Sequence, residues 1–275
     1  MSTRTRRLLS SCAVAVAIFA VWPTSNPSGG QQPTAQGPLR RTADGRPDLN
    51  GIWQTIGTAN WDLEGHEARP STVLALGAVG AVPPGLGVVE GGKIPYQPWA
   101  AARKQENTKN WLALDPEVKC FLPGVPRATY LPYPFQIFQS PGRLLIVYGY
   151  SYARREINMV PRGKAPVDFW MGWSDGRWDR DTLIVDVTSF NDQTWFDRAG
   201  NFHSDQLHVI ERYTPITPYH IAYEATIEDP KVFTRPWKIS MPLYRVVDRN
   251  AQLLEFKCVE LTEELLYGDV VKKRK

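Results

Sequence analysis

The residues best equipped for chemistry are concentrated in residues 191–206, NDQTWFDRAGNFHSDQ, and in the strand-like stretch that follows. His203 has the side chain best suited to proton transfer near neutral pH, and a neighbouring carboxylate such as Asp205 or Asp197 can orient it. Glu211 and Arg212 come next. Adjacent residues on a strand face opposite sides, so one of this pair must point inward, where it needs a counter-charge or hydrogen-bond donors. Together these residues predict an acid–base set of His203, Asp205 and Glu211. Trp195 would cover the pocket, Arg127 or Arg212 would stabilise negative charge, and Trp53 would add a contact to the bound molecule. A plainer reading uses the same residues: Asp197 and Ser204 as turn formers, Trp195 as a lid on the core, and Glu211–Arg212 in surface ion pairs.

Several chemistries find no support in the sequence. The G-x-S-x-G elbow of a serine hydrolase is missing, and no strand–turn–helix element surrounds Ser204. His203, Asp205 and His208 make a thin metal set in a chain of four histidines without C-x-x-C, so no metal is expected. Nucleotide, haem and phosphate-loop motifs are lacking, so no cofactor is expected. Trp173 and Trp178 flank Asp175-Gly176, which reads as a tight turn. They would either stack on sugars or stabilise a hairpin rim.

Positioning these groups falls to strands. From residue 134 onward, short β-branched and aromatic runs recur between Gly, Pro, Asn and Asp. The candidates are 135–139, 143–150, 155–159, 182–188, 207–213, 221–227, 238–245 and 253–259, with turns at 140–142, 175–176 and 248–250. In 207–213, Leu207, Val209, Glu211 and Tyr213 share one face. Strands without intervening helices predict a mainly β fold, an antiparallel meander closing into a lipocalin-like barrel. Gly51-Ile52-Trp53 supports this, because G-x-W on a first strand resembles the calycin barrels, whose Trp packs across the closed bottom. One helix is expected over 98–112, opened by Pro98. Residues 73–95, broken by Gly and Pro, read as an arm on the domain surface.

Residues 1–22 combine Arg4, Arg6 and Arg7 with an apolar run from Cys12 to Trp22, the layout of a signal peptide served by the general or the twin-arginine route. The run is too short for a comfortable membrane span. Residues 23–46 read as a flexible linker. Residues 47–275 form the β domain, with arm and helix in 47–133 and the sheet in 134–260. The formal charge of +4 falls to +1 once the three leader arginines are set aside, which gives no case for nucleic acid. Of three cysteines, Cys120 and Cys258 remain after the leader, and an even pair in an oxidising compartment predicts a disulfide.

The strings Pro47-Asp48-Leu49-Asn50-Gly51-Ile52-Trp53, Lys119-Cys120 with Pro123-Gly124-Val125-Pro126-Arg127, and Gly176-Arg177-Trp178-Asp179 with residues 181–186 (DTLIVD) are similar to elements of an uncharacterised family of secreted bacterial proteins. So are His203-Ser204, Glu211-Arg212-Tyr213, and residues 227–230 (IEDP) with residues 233–237 (FTRPW). The resemblance implies a periplasmic or secreted location and a paired cysteine near the last strand, and it implies no activity. Three functions follow from the sequence: a cofactor-independent acid–base enzyme (lyase, isomerase or hydrolase) acting on a small apolar or cyclic molecule, a lipocalin-like binder of such a molecule, and a glycan-binding envelope protein.

Overall fold

The computed structural model describes residues 37–71, 81–254 and 256–260. The expected signal peptide, most of the linker and the first part of the 73–95 arm lie outside the described residues. No helix among the described residues is long and apolar enough to cross a membrane.

Nine strands close into a barrel in chain order. They are β1 (Gly51–Gln54), β2 (Phe135–Ser140), β3 (Arg143–Tyr148), β4 (Arg154–Asn158), β5 (Trp173–Asp179), β6 (Thr182–Thr188), β7 (His208–Thr217), β8 (His220–Glu228) and β9 (Trp237–Arg245). Alternation drives the closure. On β8, Ile221, Tyr223, Ala225 and Ile227 are buried while the residues between them are half-buried. On β6 and β7, Leu183, Val185 and Val187 lie beside Val209, Glu211 and Tyr213 in one buried layer. Side chains at period two can bury only one face, so the sheet curls until β1 pairs with β9 and no edge is left over.

Every pairing is antiparallel except β4–β5, where Ile157↔Ser174 and Asn158↔Asp175 run parallel. The meander expected from the sequence is therefore interrupted once. Residues 159–172 cross over instead of turning back, and the two strands touch over only two residue pairs. The Asp175-Gly176 turn is also corrected: both residues lie inside β5, and the chain reverses at Arg180-Asp181, with Arg180 at φ 53°. Gly176 serves packing, since a Cβ there would lie 2.7 Å from Ile157 Cγ2. The last expected strand, 253–259, makes one parallel bridge, Tyr150↔Phe256, because the closed barrel offers it no edge.

The expected helix forms as α1 (Pro98–Lys109) and is broken at Asn110 before the single turn α2 (Trp111–Leu114). A further turn, α3 (Arg127–Tyr130), is entirely buried. Cys120 and Cys258 are disulfide-bonded, 138 residues apart.

Candidate functional site

At one end of the barrel, Trp53 is buried under the Arg245 guanidinium, 4.3 Å from its ring centroid. Arg245 donates to the carbonyls of Asn50, Asp48 (3.2 Å) and Pro218 (2.8 Å). The Gly of G-x-W makes room for it: Gly51 has φ 131°, and a Cβ there would meet Arg245 Nη1 at 2.4 Å. Trp53 thus seals the barrel's bottom.

The other end is plugged by residues 191–206. They are ordered by a Trp195↔Phe202 bridge, and Thr194–Asp197, Ala199–Asn201 and His203 are all buried. Asp197 accepts from the backbone N–H groups of Leu63, Ala199 and Asn201 and from the Asn201 amide, which pins the loop to the arm. His203 packs against Phe190 and Phe196. Its Nδ1 lies 2.8 Å from the Ser204 carbonyl, which can only accept, so Nδ1 carries the proton and Nε2 accepts from the Thr194 hydroxyl at 2.6 Å. Burial holds its pKa below the ordinary histidine value, in keeping with this neutral tautomer.

The other sequence-selected residues are dispersed. Asp205 is exposed and bound to Lys231 at 2.7 Å. Arg127 is buried, with both terminal nitrogens on Asp115 (2.7 and 2.8 Å) and Nε on Asn60 at 3.3 Å. Arg212 faces outward between Asp179 and Glu224, at 4.0 and 3.8 Å. Glu211 is the inward member of its pair and fully buried, accepting from Arg155, Tyr213 (3.0 Å) and Tyr223 (2.8 Å). His203, Asp205 and Glu211 each have separate partners. Among the described residues no group of three His, Cys, Asp or Glu side chains is placed to hold a metal ion.

A cleft of about 630 Å³ opens instead where β4 and β5 part. Arg155 and Ser174 are among its lining residues, and both are buried. Arg155 donates through Nε to Ser174 Oγ at 2.8 Å and through Nη2 to Glu211, while its buried Nη1 has no partner. Its neighbours Tyr148 and Thr129 are buried and are not part of the cleft lining. One wall is aromatic: Phe169 and Trp173 stack at 5.9 Å, and Trp170 meets the exposed Phe121 at 5.3 Å. The opposite rim carries Tyr152 and Arg154, both exposed. Ser151 and Tyr152, in the β3–β4 turn, are left-handed at φ 50° and 52°, and Ser151 Oγ donates to the carbonyl of Cys120, itself at φ 64°. Backbone strain of this kind is retained where surrounding structure holds it, and it gathers at ligand sites.

The sequence reading missed this cleft, although its own strand argument applies to Arg154-Arg155 as well as to Glu211-Arg212. One arginine of that pair had to face inward. The plug and the cleft are neighbours, because Phe169 bridges Phe190, whose ring lies 5.9 Å from that of His203.

Compared with protein families, characterised proteins and solved structures, the chain finds no match.

Proposed function

We propose that the protein is a lipocalin-like small-molecule binder whose ligand occupies the β4–β5 cleft. The carrying observation is the cleft itself: the rings of Phe169, Trp170 and Trp173 wall it, and Arg154, Asn158 and Arg162 line it beside them. Sites for small molecules combine largely apolar linings with a few converging polar groups. An acid–base enzyme would need His203, Asp205 and Glu211 at one reacting atom, and their separate partners favour binding over chemistry. The Trp53–Arg245 closure fits the calycin-like reading, and the disulfide fits an exported protein of the secreted bacterial family that its motifs resemble.

The test uses N-phenyl-1-naphthylamine, an uncharged probe that fluoresces in apolar sites. Saturable one-to-one binding to the wild type, weakened about tenfold or more in Trp173→Ala, is expected from loss of a stacking wall. Equal binding by both proteins, or none by either, would reject the cleft as the site.

A further inference from the structure

The barrel closes, but at the β4–β5 seam part of its wall stays unpaired. Tyr148 N–H donates to the Ala153 carbonyl at 2.8 Å. Bonded and unbonded pairs alternate along an antiparallel ladder, so Arg155 and Ile157 also bond to β3. Arg154, Glu156 and Asn158 turn their backbone groups the other way, toward β5. β5 meets only the end of this row. Its pairs, Ile157↔Ser174 and Asn158↔Asp175, engage Asn158 and the Glu156 carbonyl. To continue the ladder Gly172 would have to lie in line, but it stands at φ 66° and its N–H turns back to the Phe169 carbonyl at 3.4 Å. The Arg154 N–H, the Arg154 carbonyl and the Glu156 N–H are thus left without a backbone partner among the described residues, and both residues line the cleft.

A hydrocarbon in the cleft would leave those three groups unmatched. A peptide main chain matches them, because its N–H and C=O groups repeat at the spacing of the strand it joins. Side chains set the direction. Opposite residues of paired strands share a face. Arg155 is buried on the inner face with Ser174, whereas Arg154 and Glu156 are exposed on the outer face, which Trp173 shares because it precedes Ser174. A three-residue guest added antiparallel sets one residue against the packed interior, opposite Arg155, and two on the outer face beside the aromatic wall. Parallel addition reverses that count.

Building on the cleft reading above, we propose that the ligand is a short extended peptide that adds antiparallel to β4, with a small middle residue opposite Arg155 and apolar or aromatic residues on either side of it. The third residue donates its N–H to the Arg154 carbonyl and accepts from the Arg154 N–H. The first residue's carbonyl accepts from the Glu156 N–H. The middle N–H points away from β4.

Amide hydrogen exchange of the free chain gives the first test. The Arg154 and Glu156 amides should exchange about tenfold or more faster than those of Arg155 and Ile157, which β3 protects; equal protection of all four overturns the proposal. The probe is N-acetyl-Phe-Ala-Phe-amide, titrated against the full chain by NMR and expected to slow exchange at Arg154 and Glu156. Methylating the nitrogen of its third residue should weaken binding about tenfold or more, by loss of one hydrogen bond and a clash, whereas methylating the middle nitrogen should leave binding unchanged. Glu156→Pro removes one donor where proline is tolerated, and should weaken the parent peptide several-fold, while Glu156→Ala should not. The methylated peptides carry the test if Glu156→Pro fails to fold. Equal binding of both methylated peptides, or no binding of the parent, overturns strand addition and leaves the cleft standing so long as naphthylamine binding still depends on Trp173. Naphthylamine binding undiminished in Trp173→Ala overturns the cleft and this inference with it.

Discussion

Arg155 of β4 and Glu211 of β7 form an ion pair inside the barrel, both fully enclosed, with the tyrosine hydroxyls of residues 213 and 223 on the same carboxylate. The two strands are not neighbours in the sheet, so the pair ties opposite parts of the wall together. It also fixes the guanidinium, whose Nε donates to Ser174 of β5. Burial and the Glu211 charge act in opposite directions on Arg155, and the net effect holds it firmly protonated.

Breaking that pair from one side should be costly. Glu211→Ala leaves the Arg155 charge buried and unmatched, and is expected to lower unfolding free energy by about 3–5 kcal/mol. Removing both charges, as Arg155→Met with Glu211→Leu, should recover most of the loss. Urea denaturation of the three proteins checks this. A double variant as unstable as the single would show that packing, and not charge, sets the penalty.

The disulfide should be a large contributor to stability. Closing a loop of 138 residues restrains the unfolded chain by about 4–5 kcal/mol in the chain-entropy model, as an upper figure. Cys120→Ser with Cys258→Ser should shift the urea midpoint down accordingly. Titration of the non-reduced, exported protein should find neither thiol of the pair free.

His203 predicts a pH dependence whose sign follows from its burial. Its folded pKa lies below the ordinary value, so on acidification the unfolded chain takes up a proton near pH ~6.5 that the folded protein refuses. The contribution is fully present above that pH and is lost as pH falls through the folded pKa. Glu117 adds to the loss at lower pH. Its burial works upward, but Arg198 and Arg127 outweigh it and hold the carboxyl below the ordinary glutamate value. Unfolding midpoints should be level between pH 7 and 8 and decline from about 6.5 downward. In His203→Asn the upper part of that decline should flatten; an unchanged profile would place the titration elsewhere.

How much of this was legible in the sequence depends on how local each signal is. Alternation in 207–213 put Leu207, Val209, Glu211 and Tyr213 on one face and left open which of Glu211 and Arg212 turns inward; the burial of Val209, Glu211 and Tyr213 decides it for Glu211. The helix start at Pro98 was legible for the same reason, since proline at a first turn is a local preference. Asp175-Gly176 misled because the dipeptide favours a turn locally, whereas Gly176 is set by Ile157 on a strand far away in sequence. The cleft was hidden for a related reason. It arises from a parallel crossover, and nothing within residues 159–172 announces which strand the chain will join. The 191–206 loop was singled out for its length and aromatics, and those aromatics are what bury it.

The remaining prediction concerns Gly172, which joins cleft to plug. It lies between Met171 and Trp173 of the cleft wall at φ 66°, a conformation that side-chain-bearing residues adopt at a cost. A Cβ there would stand 2.7 Å from Phe190 Cε1 and from Val187 Cγ1, and both of those residues are completely buried. Neither can swing into solvent to make room, so the Phe190 ring or the backbone at Gly172 must move. If Phe190 moves, it presses on His203, whose ring it already meets edge-on. If the backbone moves, Trp173 tilts and the stacked wall with Phe169 opens. Gly172→Ala should therefore cost about 1–3 kcal/mol in unfolding free energy from backbone strain and crowding. It should also weaken N-phenyl-1-naphthylamine binding by more than the loss of folded protein explains. Adding Phe190→Leu to Gly172→Ala relieves the crowding but not the strained φ, so it should restore stability in part. An alanine variant with wild-type stability and wild-type probe affinity would mean that this wall is not rigid, and the cleft geometry would lose its support.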